Sequence, residues 1–280
     1  MTLDATPEFD LDAYLARIGY VGERQPSRAV LASLHMAHVT HISFENLDLY
    51  LGNPIQLDLP SLQAKLVRDC RGGNCHEQTT LFATALEHLG FPVTRLAARI
   101  RLGTASNRPR RHMLLRIHVD ESDWLADVGF GWNGLVFPIP LEADHETEHF
   151  DQRHRLIQCD AIWVQQTLVQ NDWQDMYEFD LEPFDPIDFQ KMCEVGPDPV
   201  TSPLMKGITA QRVTDRGRYT LKDRELIVRL GGQEVSRRQL ADDEQLLQEL
   251  SATFGLNFPP GTRFSQSPIQ VRSATRSPLE

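Results

Sequence analysis

The 280 residues contain few cysteines, no excess of basic charge and no long apolar run. Lys and Arg number 28 against 39 Asp and Glu, a net charge of −11. That balance excludes the electrostatic footprint of a nucleic-acid or anionic-membrane binder. An anionic ligand would need a local site of backbone N–H groups or a few arginines. The four cysteines, Cys70, Cys75, Cys159 and Cys193, are irregularly spaced in a long chain, unlike a secreted disulfide framework. Residues 1–10 are polar and acidic, without the basic start and apolar core of a secretory signal. No apolar stretch approaches the roughly 20 residues that span a bilayer. The most apolar piece, residues 135–141, is short and broken by Pro138 and Pro140. The expected setting is a reducing cytoplasm with free thiols. What is present is ordinary globular material: 41% hydrophobic and 24% charged residues, enough for a substantial core.

Periodicity divides the chain. Asp10 can cap a helix to about residue 20, with Leu11, Tyr14, Leu15 and Ile18 on one face. Ser27 can cap a second helix carrying Val30, Leu31, Leu34 and His38. Residues 44–55 read as irregular, a third helix follows Pro60, and a fourth runs from about Cys75 to Leu89, stopped by Gly90 and Pro92. Residues 93–101, 113–119, 124–128, 153–158, 163–169 and 176–179 then favour strands. Strands continue over 204–236, with turns at Asp215-Arg216-Gly217 and Gly231-Gly232, and Asp242 or Asp243 caps a last helix through Leu250. Residues 142–151, acidic and His-containing, read as a solvated loop. The expected organisation is α+β: a helical region 1–90, a β region 91–200, a smaller mixed region 201–264 and a mobile tail 265–280.

The most informative segment is Arg71-Gly72-Gly73-Asn74-Cys75-His76-Glu77. Two glycines let the backbone turn tightly, and Cys75 then falls at a helix N-terminus, where the positive field favours a thiolate, the nucleophilic form. A small cysteine packed into a core is the alternative. His112 begins a strand whose residues Met113, Leu115, Ile117 and Val119 form an apolar row, so it points to the opposite face. Asp127 ends the next apolar run and is costly to bury without a partner. Each alone could be a structural residue. Together they fit a nucleophile, its base and the carboxylate that orients the base, with adjacent antiparallel strands placing His112 beside Asp127. Gly129-Phe130-Gly131 follows directly and lets the backbone approach a ligand, or is simply a strand-to-strand turn. Cys70, Cys75, His76 and His88 lack a paired metal-ligand spacing, so no metal is expected.

These motifs resemble the arylamine N-acetyltransferases: Arg71-Gly72-Gly73-x-Cys75-x-Glu77, then His112-Met113-Leu114-Leu115 starting 37 residues after Cys75, then Asp127-Val128-Gly129-Phe130-Gly131 a further 15 on. Phe44-Glu45-Asn46-Leu47-Asp48 is similar to another family segment, with Ser43 where Pro is usual, as is Asn53-Pro54-Ile55-Gln56-Leu57-Asp58. Residues 176–181 match more loosely. The resemblance implies a helical first domain, an antiparallel β-barrel-like second domain and a small α/β C-terminal lid, with a cysteine-proteinase-like core. It implies ping-pong acetyl transfer from acetyl-CoA, through a Cys75 thioester, to an arylamine or arylhydrazine. It also implies a Cys75–His112–Asp127 triad, Gly129, Phe130 and Gly131 near the CoA path, Arg71 and Glu77 as structural supports, and no tightly bound cofactor.

The sequence departs from the family pattern around the cysteine. Asn74 and His76 stand where aromatics usually flank it, and Thr79 replaces an Asn. His76, expected in the acceptor pocket, should make that pocket more polar and add a second titratable group. An amide synthase using the same triad with a longer acyl thioester is the alternative reading, followed by a cysteine hydrolase or transglutaminase-like enzyme.

Overall fold

The computed structural model describes residues 9–102, 108–150, 152–197, 202–265 and 267. Residues 1–8 and, apart from Ser265 and Ser267, the expected mobile tail lie outside the described residues. Helix α1 (Leu11–Arg17) starts at Asp10, whose carboxylate accepts the Ala13 N–H at 2.9 Å. Helix α2 (Arg28–His41) starts at Ser27, whose hydroxyl accepts the Val30 N–H. Both capping residues act as the sequence suggested, satisfying N–H groups that the first helical turn leaves open. Residues 44–55, expected to be irregular, instead contain strand β1 (Phe44–Glu45) and a short helix α3 (Leu47–Leu51) ended by Gly52 at φ 76°. Helix α4 (Leu59–Leu62) runs into a π-helical turn, Gln63–Arg68, in which the Asp69 N–H reaches back five residues to the Ala64 carbonyl. Helix α5 (Cys75–His88) follows.

The middle of the chain forms strands β2 (Val93–Ile100), β3 (His112–Val119), β4 (Ser122–Ala126), β5 (Ile139–Pro140), β6 (Thr147–His149), β7 (Gln152–Cys159), β8 (Ile162–Val169) and β9 (Asp172–Phe179). They make one antiparallel sheet in the order β5-β4-β3-β2-β9-β8-β7-β6, curled into a nearly closed barrel. Its interior packs Leu96, Leu114, Leu125, Leu156, Met176 and Phe179. Its outer face carries Leu115, Ile117 and Ala126 against Leu31, Leu34 and Phe82 of the helices. Strand β3 is therefore buried on both faces, which explains its nearly continuous apolar sequence. The loop expected over 142–151 is partly ordered: Thr147–His149 pairs with β7, and His149 is buried.

Helix α6 (Pro186–Val195) was not anticipated; only Phe189 on it is buried, so it shows no apolar stripe, although Asp185 caps it and Pro186 occupies its first position. Strands β10 (Thr209–Val213), β11 (Arg218–Lys222), β12 (Glu225–Leu230) and β13 (Gln233–Gln239) precede helix α7 (Asp243–Phe254), capped by Asp242. The second sheet has the order β1-β10-β11-β12-β13, so its first strand comes from the helical region. Leu47, Leu49 and Tyr50 share one core with Leu221, Leu250 and Phe254, across the division expected near residue 200. No described helix is long and apolar enough to cross a membrane.

A buried ion network ties these parts together beneath α5. Lys65, in the π-helical turn, reaches Asp48 at 2.5 Å and Glu77 at 2.6 Å. Arg71 reaches Glu45 at 2.6 Å and Asp48 at 3.2 Å. Burial alone would raise the Asp48 pKa, but the Lys65 and Arg71 charges and the hydrogen bonds from Lys65 and Asn53 outweigh it and lower it to about 2. Removing one member of such a network strands the others in low dielectric. Lys65→Met should therefore lower unfolding free energy by about 3–5 kcal/mol in urea titration. Arg95→Met, which breaks only a contact to the exposed Glu87, should cost under about 1 kcal/mol. Equal losses would contradict this reading of the network.

Candidate active site

The geometry at Cys75 follows from the residues before it. The Gly73 N–H donates to the Ser43 carbonyl at 3.3 Å and the Gly73 carbonyl accepts from the Glu45 N–H at 3.0 Å, tethering the turn to β1. A Cβ on Gly72 would overlap the Ser43 carbonyl oxygen, so the close approach requires glycine. Asn74 then caps α5: its side-chain oxygen accepts from His76 N–H (2.9 Å) and Glu77 N–H (3.3 Å), while the Glu77 carboxylate accepts the Asn74 N–H at 3.0 Å. This reciprocal capping box assigns Asn74 a structural reason for departing from an aromatic. Cys75 is the first residue of the helix and half-buried, at its positive end.

The β3–β4 register pairs Leu115 with Ala126. Asp127, one residue past β4, thus falls opposite Leu114, on the same sheet face as His112. Both side chains are almost wholly buried, and His112 Nε2 lies 2.7 Å from Asp127 Oδ2. An ionised carboxylate only accepts, so Nε2 carries the hydrogen and Nδ1 is the other functional nitrogen. Burial disfavours the His112 cation, but the Asp127 charge and hydrogen bond, reinforced by the Cys75 side chain, raise its pKa to about 10. Asp127 Oδ1 accepts the Gly129 N–H at 3.0 Å. Helix α5 is docked on β3 through Thr79, whose hydroxyl donates to the Met113 carbonyl at 3.3 Å. A Cβ on Gly129 would lie 2.6 Å from Cys75 Cα, so only glycine lets the segment after Asp127 pass the cysteine.

The structure thus brings Cys75, His112 and Asp127 together from three elements. A family model described as N-acetyltransferase matches residues 28–262. The arylamine N-acetyltransferase of Mycolicibacterium smegmatis is 37% identical over 259 residues, 89% of this chain and 92% of that protein. The chain belongs to the arylamine N-acetyltransferase family. The arylamine N-acetyltransferase / N-hydroxyarylamine O-acetyltransferase of Salmonella typhimurium is 41% identical over 172 residues, a match spanning 61% of each chain. The solved arylamine N-acetyltransferase of Mycobacterium marinum in complex with CoA superposes with a TM-score of 0.83 at 32% identity, covering 89% of this chain and 93% of that one. The protein is an acetyltransferase of this family, with its α+β, barrel-containing fold.

Within that frame, Cys75, His112, His76, Gly129 and Phe130 line a cavity of ≈ 360 Å³. Gly131, at φ 68°, instead packs its backbone against Phe44 and Gln211. Arg71 and Glu77 lie beneath the helix in the ion network. His76 overturns one expectation. Its Nε2 lies 2.7 Å from the Arg111 carbonyl and its Nδ1 3.1 Å from Cys193 Sγ, so both nitrogens are occupied. Burial lowers its pKa to about 4, leaving it a neutral ring packed on Phe189 and not a second titratable group at neutral pH. The cavity also touches Arg108, Arg111, Lys206 and Lys222, and no carboxylate is among its described lining residues. In a chain of net charge −11 this is a locally cationic mouth.

Sequence reasoning missed Tyr177 and His35. Tyr177 packs on His112 at 5.1 Å between ring centroids, and burial together with the Asp127 charge raises its pKa well above the ordinary phenol value. Its only signal was a loosely matched motif. His35 touches the Asp127 backbone from α2 and was hidden within an apolar helical stripe. The Gly129 contact gives a direct test. Gly129→Ala should displace Cys75 and lower acetyl-transfer turnover on the order of 10²-fold. Turnover equal to that of the unaltered enzyme would contradict the close-approach reading.

Proposed function

We propose that the protein transfers an acetyl group from acetyl-CoA to an arylamine or arylhydrazine by a ping-pong reaction through Cys75. The observation that carries this reading is the buried Asp127–His112 pair, at 2.7 Å, beside a cysteine at a helix N-terminus, in a cavity with no carboxylate among its described lining residues. In the first half-reaction Cys75 sulfur attacks the thioester carbonyl, the C–S bond to CoA breaks, and His112 gives its proton to the departing sulfur. Charge developing on the carbonyl oxygen lies near the positive end of α5. In the second half-reaction the neutral amine attacks the acetyl carbon, His112 takes its proton, and the Cys75 thiolate leaves. Asp127 holds the ring by its Nε2–H throughout and offsets its charge. Thioester exchange between two thiols is nearly balanced in energy, so the acetyl group is stored without a deep trap.

The donor enters past Gly129 and Phe130, with its phosphates met by Arg108, Arg111, Lys206 and Lys222 at the mouth. The naming of CoA in the M. marinum structure supports that choice of donor. His76 presents a neutral ring to the acceptor. In this reading residues 1–90 supply the nucleophile, 91–200 the base and acid, and 201–264 a lid over them. The four free thiols suit a reducing cytoplasm.

Intact-protein mass spectrometry after mixing with acetyl-CoA alone tests the donor half. One acetyl group should appear on the protein and be absent from Cys75→Ser. Addition of an arylamine should discharge it faster than water does. Absence of the adduct, or its persistence in Cys75→Ser, would overturn the mechanism.

A further inference from the structure

We infer that His35 is a positioning residue for the reaction, acting through the backbone of Asp127. The inference rests on the triad reading above. His35 lies on α2, is 0% exposed, and is surrounded by apolar residues of the helical core. An aliphatic side chain would fill that space without the cost of burying a polar ring. The ring is instead bonded at both ends: Nδ1 lies 3.0 Å from the Val136 carbonyl oxygen, and the Asp127 N–H donates to Nε2 at 3.1 Å. A carbonyl only accepts and an amide N–H only donates. The tautomer is therefore fixed as Nδ1–H with a lone pair on Nε2. Burial also holds the ring neutral, lowering its pKa to about 4.

The sheet shows why a ring is needed there. Strand β4 pairs with β5 at Trp124–Pro140 and Leu125–Ile139, and the pairing stops there. Continued in register it would set Asp127 opposite Phe137, next to Val136. Instead the two segments part, and the imidazole spans the gap. It accepts from one and donates to the other, as a peptide group would in a ladder. The Asp127 amide is thereby held at the point where its carboxylate leaves the sheet for His112. The same ring stands edge-on to Phe82 of α5, at 5.8 Å between centroids and 88° between planes, so it also touches the helix that carries Cys75. One buried side chain thus references the acid and the nucleophile's helix to each other.

The test compares His35→Leu and His35→Met, which fill space but accept no hydrogen bond, with His35→Gln, whose amide can both accept and donate. In folded protein, kcat of the first two should fall on the order of 10²-fold with KM little changed, because misplacement of about an ångström acts on chemistry more than on binding. The pH profile of Cys75 alkylation by iodoacetamide should shift in both, and His35→Gln should keep the profile and most of kcat. Should Leu and Met variants fail to fold, His35→Asn, whose shorter amide cannot reach both backbone groups, takes their place: a shifted profile there beside a preserved one in His35→Gln supports the role, and a profile unchanged in both overturns it. A lower melting temperature with unchanged kcat and profile in Leu or Met would mean that His35 is only core filling, and would overturn the inference. Asp127→Asn is measured alongside. An unaltered profile there would mean that the triad reading itself fails, whatever His35 does.

Discussion

A carboxylate and an imidazole, both withdrawn from water and 2.7 Å apart, are the contact around which this molecule is arranged. Neither could be buried alone without a large desolvation cost. Together they are stable, and their union gives His112 a charge that its burial would otherwise remove. The barrel sheet makes the pairing possible because neighbouring antiparallel strands put His112 and Asp127 on one face. Tyr177 and Phe130 then pack on the imidazole, at 5.1 and 5.3 Å between centroids, and keep solvent away from it.

The rest of the fold delivers a sulfur to that pair. The Gly72-Gly73 turn is tied to β1, Asn74 and Glu77 close the helix start, and the Lys65–Asp48–Arg71 network anchors the turn from below. Gly129 removes the last steric obstacle between the two halves. Motifs far apart in the chain, Phe44-Glu45-Asn46-Leu47-Asp48 and Arg71-Gly72-Gly73, are one object in space: the carboxylates of the first neutralise the cation of the second.

Much of this was legible in the sequence. Asp10, Ser27 and Asp242 begin helices as their side chains suggest, and the Cys75 helix ends before Gly90. Six of the eight barrel strands were expected from their apolar residues, whereas β5 was not anticipated and β6 lies in the segment expected to be a loop. The departures have physical causes. Residues 44–55 look irregular because Asn46, Gly52, Asn53 and Pro54 are turn formers in isolation, yet Glu45 and Asp48 are fixed by cations from a later segment. Helix α6 shows no stripe because it buries little beyond Phe189. His76 looked like a titratable polar group, but its partners are a carbonyl 35 residues away and a thiol 117 residues away, which no local pattern encodes. His35 was hidden for the same reason: its two bonds go to backbone atoms of two distant segments, at Asp127 and Val136.

The measurement that bears most directly on this account is the ring nitrogen chemical shifts of His112, followed by NMR across pH in the intact enzyme. The account predicts a doubly protonated imidazole through neutral pH that loses its proton only as pH approaches about 10. A ring that titrates near 6.5, as a free histidine does, would show that Asp127 does not hold the charge against burial and would contradict the account at its centre.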